Sequence, residues 1–456
     1  MNQEVNVQPE NKMGIMPVNK LLISMSLPMM ISMLVQALYN IVDSVFVAKV
    51  SEGALTAVSL AFPIQILAIS VGAGTGVGIN AVLSRALGEK EFEKANKASE
   101  NAVFLTILSY LVFLLIGIFG TPIYFKMQTN DPEILNAGIS YLSICMICSF
   151  GVFAQMTFER LLQSTGKTIY TMITQGTGAI INIIMDPIMI FGLLGFPKMG
   201  AAGAALATVT GQIIAGALAI ILNYKKNHEI HINMKGFRPD RNIIGRIYAV
   251  GVPSIIMQSI SSLTTYGMNH ILINFTSTAA AVFGVYFKLQ SFFFMPLFGM
   301  NNGLVPIIAY NYGAGKKDRL VKAIKLSMLY AFILMLFGIG VFQSIPAILL
   351  GFFNASETMM EIGIPALRII SISFLFAGFC IICSSVFQAL GNGVYSMFVS
   401  IARQLVVLLP TAYLLARFGG LHLVWWSFPI AEVMSLSLSS IFLYCIYHKV
   451  IKNIGE

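Results

Sequence analysis

Stretches of about 20 apolar residues recur along the chain, and each is long enough to cross a hydrocarbon core of ~30 Å as a helix. They follow one another from Leu21 to Tyr447 with only short polar breaks. Hydrophobic residues make up 57% of the 456 and charged residues 10%, so water is not the main solvent of the folded chain. A backbone in lipid must satisfy its own hydrogen bonds, so the sequence predicts an all-α membrane protein.

The polar breaks divide the chain into twelve predicted spans. They cover residues 21–46, 54–84, 99–125, 135–159, 168–194, 200–223, 246–274, 278–311, 323–350, 358–388, 394–416 and 420–447. The first 20 residues are polar and contain no short apolar core with a cleavage site, so we expect no cleaved signal peptide.

Basic residues are distributed unevenly between alternate loops. With the N-terminus inside, the outer segments hold only Lys49, Lys126, Lys198 and Arg417, and most other Lys and Arg lie on the inner side. Basic loops stay in the cytoplasm, so we expect a multi-pass protein of the inner (cytoplasmic) membrane with both termini cytoplasmic. This topology explains the net charge of +9 better than a nucleic-acid partner does, and we expect none.

The sequence repeats itself at an offset of 225 residues, the separation of Pro28 and Pro253. The superposed pairs also include Ala54 and Ala279, Gln65 and Gln290, Gly74 and Gly299, Gly78 and Gly303, Gly88 and Gly313, Gly138 and Gly363, Gln163 and Gln388, Gly166 and Gly391, and Tyr170 and Tyr395. Each half contains six spans, so both halves cross in the same sense and are related by a pseudo-twofold axis along the membrane normal.

The repeat predicts the domain organisation. We expect a polar tail (1–20), an N-lobe (21–223), a cytoplasmic linker (224–245), a C-lobe (246–447) and a second polar tail (448–456). Duplicated bundles of this kind place the substrate path between the halves, which favours a transporter over a receptor. Because the duplication is self-contained, we expect a monomer.

No motif in the chain indicates an enzyme, a nucleotide-driven motor or a cofactor. The run from Gln163 to Thr168 lacks the first glycine of a phosphate-binding loop, because Leu161 stands in its place. The pairs Cys145 with Cys148 and Cys380 with Cys383 lie inside apolar spans with no nearby His, so we interpret them as packing residues rather than metal ligands.

Ionisable side chains inside the predicted spans are few, and each costs ~2.5–3.5 kcal/mol at a helix centre. Asp43 follows Tyr39 by four residues and Asn40 by three, and Asp186 follows Asn182 by four, so each carboxylate shares a helical face with a polar neighbour. Both acids are expected at similar depths in the outer half of the membrane.

Two carboxylates with two amide neighbours form a candidate Na⁺ site, or a pair in which mutual repulsion favours binding of a proton. The alternative for Asp43 is a helix cap in the outer interface, and the alternative for Glu159 is an ion pair with the adjacent Arg160. Pro187 disturbs the helix directly after Asp186, which favours a functional role for that acid. The Met-rich and aromatic stretch ending at Met295 suits a repackable wall for organic cations, although such side chains more often face lipid.

Several stretches together resemble the multidrug and toxic compound extrusion (MATE) family over essentially the whole chain. They are Leu27 to Asp43, Gly74 to Gly88, Glu159 to Gln163, Asn182 to Pro187, Gly203 to Thr208 and Asn311 to Lys316. The resemblance implies two six-helix bundles in a V-shaped arrangement, and export of cationic amphipathic compounds coupled to inward movement of H⁺ or Na⁺.

The resemblance also implies a cation site in the N-lobe at Asp43, Asn182, Asp186 and Thr208. Gln36, Tyr39 and Asn40 would line the substrate cavity, to which we add Glu159 and Met295 as candidates. The C-lobe carboxylates of one branch of the family are missing here. Two alternatives stay open: a flippase for lipid-linked precursors, which needs a cationic cavity, and a non-transporting membrane receptor or scaffold.

Overall fold

The computed structural model describes residues 10–455, and every element in that range is helical. Residues 1–9 of the predicted N-terminal tail and Glu456 of the C-terminal tail lie outside the described residues. Twelve spans cross the bundle when each bent pair of helices is taken as one span. The prediction of an all-α protein with twelve transmembrane helices is confirmed.

The N-terminal half contains the first six spans. They are α1 (Val18–Ala48), α2 (Glu52–Gly88), α3 (Phe92–Gln128), α4 (Pro132–Ile147 and Phe150–Ser164), α5 (Thr168–Phe191) and α6 (Ala201–Lys226). A single-turn helix, Lys12–Ile15, precedes α1.

The C-terminal half contains the other six. They are α7 (Arg241–Ile273), α8 (Ser277–Gly313), α9 (Lys317–Ser344), α10 (Glu357–Ser371 and Phe374–Ala389), α11 (Gly393–Gly419) and α12 (Leu421–Ile451). The fourth span of each half is broken at corresponding places, with bends of 41° in α4 and 47° in α10. The two six-helix bundles are thus copies of one unit, as the internal repeat predicts.

The two lobes meet along two equivalent helix pairs, α1 with α8 and α2 with α7. Glycines of the internal repeat lie at these contacts. A methyl group on Gly299 of α8 would lie 2.6 Å from the carbonyl oxygen of Met29 on α1, and one on Gly78 would overlap the carbonyl of Ile247 on α7. These glycines therefore let the backbones of the two lobes approach closely.

The lobes are also in contact at the end of the bundle where α2 and α8 finish. A methyl group on Gly88 would overlap the carbonyl oxygen of Tyr310, and one on Gly313 would overlap that of Arg85. Residues 10–16, the end of α12 and the segment between α6 and α7 lie at this end, which the topology prediction assigns to the cytoplasm. We call it the closed end.

Small residues also hold α5 and α6 together inside the N-lobe. A methyl group on Gly211 would lie 2.6 Å from the carbonyl oxygen of Gly178, and one on Gly203 would lie 2.5 Å from that of Met189. This close approach sets the distance between polar side chains that project from the two helices.

We predict that Gly211→Ala destabilises the N-lobe, because the new methyl group cannot avoid the α5 backbone. Overpacking of this kind costs about 1–3 kcal/mol. The matched control is Gly176→Ala on α5, where a methyl group would meet nothing within 4 Å. Thermal unfolding in detergent measures the difference. Equal melting temperatures for the two variants would contradict the packing described for Gly211.

Candidate functional site

Helices α1, α5 and α6 bring the four residues of the predicted cation site together. The side chains of Asp43 on α1 and Asp186 on α5 lie close enough to interact directly. Asp186 is fully buried and Asp43 partly buried. Tyr39, one helical turn before Asp43, interacts electrostatically with both carboxyl groups.

Asn182 joins this pair to α6. In the amide orientation that satisfies both ends of the side chain, Nδ2 donates to Asp186 Oδ2 at 3.3 Å. Its oxygen then accepts from the backbone N–H of Thr208 at 3.1 Å and from the Thr208 hydroxyl at 3.2 Å. Asn182 and Asp186 share a face because they lie four residues apart on α5, and Pro187 supplies no N–H to the helix beside them.

The chemistry of the cluster requires a positive partner. Two carboxyl groups in contact repel each other unless a proton or a cation lies between them. Asp43 Oδ1 and Asp186 Oδ1 are both buried and without a hydrogen-bond partner. The carboxylate oxygens at this contact suit a shared proton or a hard cation such as Na⁺, and the Asn182 amide oxygen would ligate Na⁺ only in the opposite amide orientation.

A cavity of about 290 Å³ lies beside the cluster, between the lobes. It is lined by seven of the predicted residues: Gln36, Tyr39, Asn40, Glu159, Asn182, Thr208 and Met295. Asp43 and Asp186 do not line this cavity. Asp43 instead borders a separate pocket of about 220 Å³ with Val47, Leu55, Val58, Ser59 and Phe62, formed by the ends of α1 and α2 away from the closed end. The acidic pair is thus set behind the cavity wall, and Tyr39 and Asn182 lie between.

Glu159 is held in the cavity wall by three side-chain donors. Its Oε1 accepts from Gln155 Nε2 at 3.0 Å and from Thr174 Oγ1 at 2.7 Å. Its Oε2 accepts from Gln175 Nε2 at 2.8 Å. Within residues 10–455 no ion pair joins it to Arg160, so the sequence-based alternative of an ion pair does not describe this geometry.

Arg160 is a cavity residue that the sequence interpretation did not place there. Its Nη1 donates to Gln163 Oε1 at 2.8 Å and, across the lobe boundary, to Asn302 Oδ1 on α8 at 3.0 Å. Gly76 of α2 makes room for the arginine stem, since a methyl group there would lie 2.7 Å from Arg160 Cγ. Only the glycine-rich run around Gly76 signalled a close approach in the sequence.

Amide side chains are the other part of the site that was missed. Gln155, Gln175, Gln212 and Asn302 all line the cavity and give it a polar wall with one carboxylate and one guanidinium. The spacing of Gln155 and Glu159, four residues apart on one helix, was the available signal. Gln175 and Asn302 lie on other helices, and their positions in the sequence gave no signal that they line the cavity.

The C-lobe contains its own ion pair, between the partly exposed Arg403 on α11 and the buried Glu432 on α12. Arg403 Nη1 lies 2.6 Å from Glu432 Oε1. Glu432 Oε2 and the hydroxyls of Ser435 and Ser439 on the same helix face are buried without hydrogen-bond partners. Lys288 and Arg368, the other cations considered for the C-lobe, are exposed side chains.

Comparison with known proteins follows the same two-lobe division. The family model described as MatE matches residues 28–188 and again 253–414. The two matches begin at the offset of the internal repeat. Among the described side chains, no group of three or more His, Cys, Asp or Glu could hold a metal ion.

Relatives and solved structures match over almost their full lengths. The multidrug export protein MepA of Staphylococcus haemolyticus (strain JCSC1435) is 28% identical over 94% of both chains. MepA of Staphylococcus aureus (strain MRSA252) is 26% identical over 96% of both. An outward-facing multidrug resistance MATE family transporter has a similar fold, with a TM-score of 0.91 at 24% identity over 98% of this chain and 99% of that one. A MOP superfamily transporter from Pyrococcus furiosus matches with a TM-score of 0.89 at 25% identity, over 98% of this chain and 99% of that one.

We predict that Arg403→Met destabilises the C-lobe strongly, because it leaves the buried Glu432 carboxylate without its cation. Breaking a buried pair from one side costs about 3–5 kcal/mol. Adding Glu432→Gln to the same protein should restore much of the loss, since no unpaired charge remains. Thermal unfolding of the single and double variants is the measurement. A double variant as unstable as the sum of the two singles would contradict direct pairing.

Proposed function

Because this chain belongs to the MatE family, we propose that it is a secondary-active efflux transporter that exports cationic amphipathic compounds in exchange for H⁺ or Na⁺. The observation that carries the proposal is the direct interaction of the Asp43 and Asp186 carboxyl groups behind the wall of a cavity between the lobes. The names of the MepA relatives support multidrug export.

In the proposed mechanism the acidic pair is the coupling site. A proton or Na⁺ bound between Asp43 and Asp186 compensates their charge, and its release leaves two carboxylates that attract a cation. Asn182 contacts Asp186 and is hydrogen-bonded to Thr208, and both Asn182 and Thr208 line the cavity, so a change in the pair is transmitted to the cavity wall. Ion and cationic cargo therefore compete electrostatically, which provides the differential binding that antiport requires.

The cavity supports a cationic, amphipathic cargo. The Glu159 carboxylate accepts from Gln155, Thr174 and Gln175 and has room for one further donor, such as a substrate ammonium group. Thioethers of Met33, Met156 and Met295 line the same cavity and supply an adaptable apolar surface. The proposal assigns no catalytic step and no cofactor apart from the coupling ion.

The two lobes are proposed as the moving units. Residues 21–223 and 246–447 rock against each other about the α1–α8 and α2–α7 contacts, and residues 224–245 connect them. The chain acts as a monomer in the cytoplasmic membrane, with both termini in the cytoplasm as the basic residues indicate.

A lipid-precursor flippase is the alternative that the geometry supports less. A diphosphate would need a strongly cationic cavity, whereas the lining residues include one guanidinium, of Arg160, and one carboxylate, of Glu159. Arg403 is paired with Glu432, and Lys288 and Arg368 are exposed. A receptor or scaffold would have no use for a pair of acids in contact inside the membrane.

We predict that purified protein in liposomes takes up a fluorescent cationic dye when a pH gradient or a Na⁺ gradient is imposed. Asp43→Asn and Asp186→Asn should each abolish gradient-driven uptake, because a neutral amide neither releases a proton nor binds Na⁺ as a charge partner. The gradient that drives wild-type uptake identifies the coupling ion.

The matched control is Asp318→Asn, an exposed acid at the closed end, which should transport like the wild type. Full coupled uptake by Asp186→Asn would contradict the coupling assignment. No uptake under either gradient, from folded wild-type protein, would favour the flippase.

We also predict that Glu159→Gln weakens equilibrium binding of a quaternary ammonium dye about tenfold, the loss of roughly one charged hydrogen bond. An uncharged analogue of the same shape should lose much less, because its binding does not use the carboxylate charge. Fluorescence titration in detergent measures both constants. Glu133→Gln, an exposed acid outside the cavity, is the control. Equal losses for the charged and uncharged dyes would exclude Glu159 as a charge partner.

A further inference from the structure

Residues 10–16, directly before α1, cross from one lobe to the other at the closed end. We propose that this N-terminal segment is a latch that holds the closed end shut and is released when the lobes separate there. The inference rests on the proposed rocking of the two lobes. The latch is a separate structural element that belongs to neither the ion site nor the cargo site. It stands on the hydrogen bonds that the segment makes to each lobe.

Asn11 attaches the segment to the N-lobe. Its Nδ2 donates to the carbonyl oxygen of Thr165, in the turn between α4 and α5, at 3.0 Å. The same amide is hydrogen-bonded to Glu229, which also pairs with Lys167 at 3.2 Å. Glu229 belongs to the N-lobe side, because the segment after α6 is bonded to α3, for example from the His231 N–H to Asn96 Oδ1 at 2.8 Å.

The turn between α8 and α9 attaches the segment to the C-lobe. Arg319 Nη2 donates to the carbonyl oxygens of Met13 at 3.0 Å and Met16 at 2.6 Å. Asn311 Nδ2 donates to Met13 O at 3.1 Å, and Lys316 Nζ donates to a third carbonyl of the segment. Three side chains of one lobe thus bind the backbone carbonyls of Met13, Gly14 and Met16.

Packing and charge fix the segment in this position. The Met13 side chain is fully buried, and a methyl group on Gly14 would lie 3.0 Å from the Tyr310 ring, so the turn lies directly against α8. Glu10 forms an ion pair with Lys316. The hydrogen bond from Lys316 Nζ holds the pKa of the Glu10 carboxyl below its usual value. The carboxyl is therefore ionised near neutral pH.

Opening of the closed end must break one of the two attachments. When the lobes separate, the turn after α4 moves away from the turn after α8. A segment of seven residues that is hydrogen-bonded to both turns cannot keep both sets of bonds. Opening breaks hydrogen bonds from charged donors such as Arg319 and Lys316. The free energy of these bonds therefore favours the closed arrangement. The segment therefore biases the transporter toward the state in which the cavity does not open at the closed end.

The test measures the distance between the lobes directly. Spin labels are placed at Glu93→Cys and Asp318→Cys, exposed and equivalent positions at the starts of α3 and α9, after the five native cysteines are replaced by alanine. Pulsed electron paramagnetic resonance then gives the ratio of open to closed distances in nanodiscs, with and without cationic dye and at several pH values and Na⁺ concentrations.

Two latch variants are compared with a charge control. Asn11→Ser can still cap the short helix, whose Met13 N–H is bonded to Asn11 Oδ1, but cannot reach Thr165. Arg319→Gln removes the bonds to Met13 and Met16. Lys322→Gln removes the same charge from an exposed position on α9. We expect each latch variant to raise the open-to-closed ratio about tenfold and the control to change it less than twofold.

The double variant decides whether the contacts act as one latch. If both ends belong to one bridge, Asn11→Ser with Arg319→Gln raises the ratio no more than the larger single variant does. A ratio equal to the product of the two single effects, or latch variants that match the control, would overturn the proposal. A label pair that never shows a second distance under any condition would contradict the lobe motion itself, and with it the proposed function.

Discussion

The structure depends on the rule that a charge inside hydrocarbon must be compensated by a partner within the protein. Inside the described spans the buried charges occur in groups: Asp43 with Asp186, Glu159 with its three donors, and Arg403 with Glu432. Only the first group brings two acids into contact, so a proton or cation must join them, whereas Glu159 accepts from three neutral donors and Glu432 has a permanent cation. This difference is the physical basis for assigning ion coupling to the first group.

Small residues make these groups possible. Gly178 and Gly211 allow α5 and α6 to approach until Asn182 reaches Thr208, which connects the acidic pair to the cavity wall. Gly76 likewise admits the Arg160 stem, so that the guanidinium reaches Asn302 across the lobe boundary. The same residue type thus serves packing within a lobe and contact between lobes, and neither contact could form beside a larger side chain.

The fold was predictable because apolar length and the internal repeat are properties of the sequence alone, and the family model matches each half separately. The cluster of Asp43 and Asp186 was predictable from helix spacing and expected depth. The partners of Glu159 were not, because Thr174 and Gln175 come from a different helix, and Arg160 turned toward Asn302 rather than to its neighbour. The breaks in α4 and α10 were also missed, since no proline lies at either break.

The duplicated halves have diverged where the chemistry occurs. At the offset of the repeat, Asp43 corresponds to Met268 and Asp186 to Thr411, so the C-lobe cannot form the same acidic pair. In the opposite direction, Arg403 corresponds to Gly178 and Glu432 to Ala207, which are small residues on the packed α5 and α6. The C-lobe therefore has a permanent ion pair at positions where the N-lobe has small residues that pack α5 against α6. A permanent guanidinium partner needs no exchange with solvent, which agrees with the proposal that ion coupling takes place in the N-lobe.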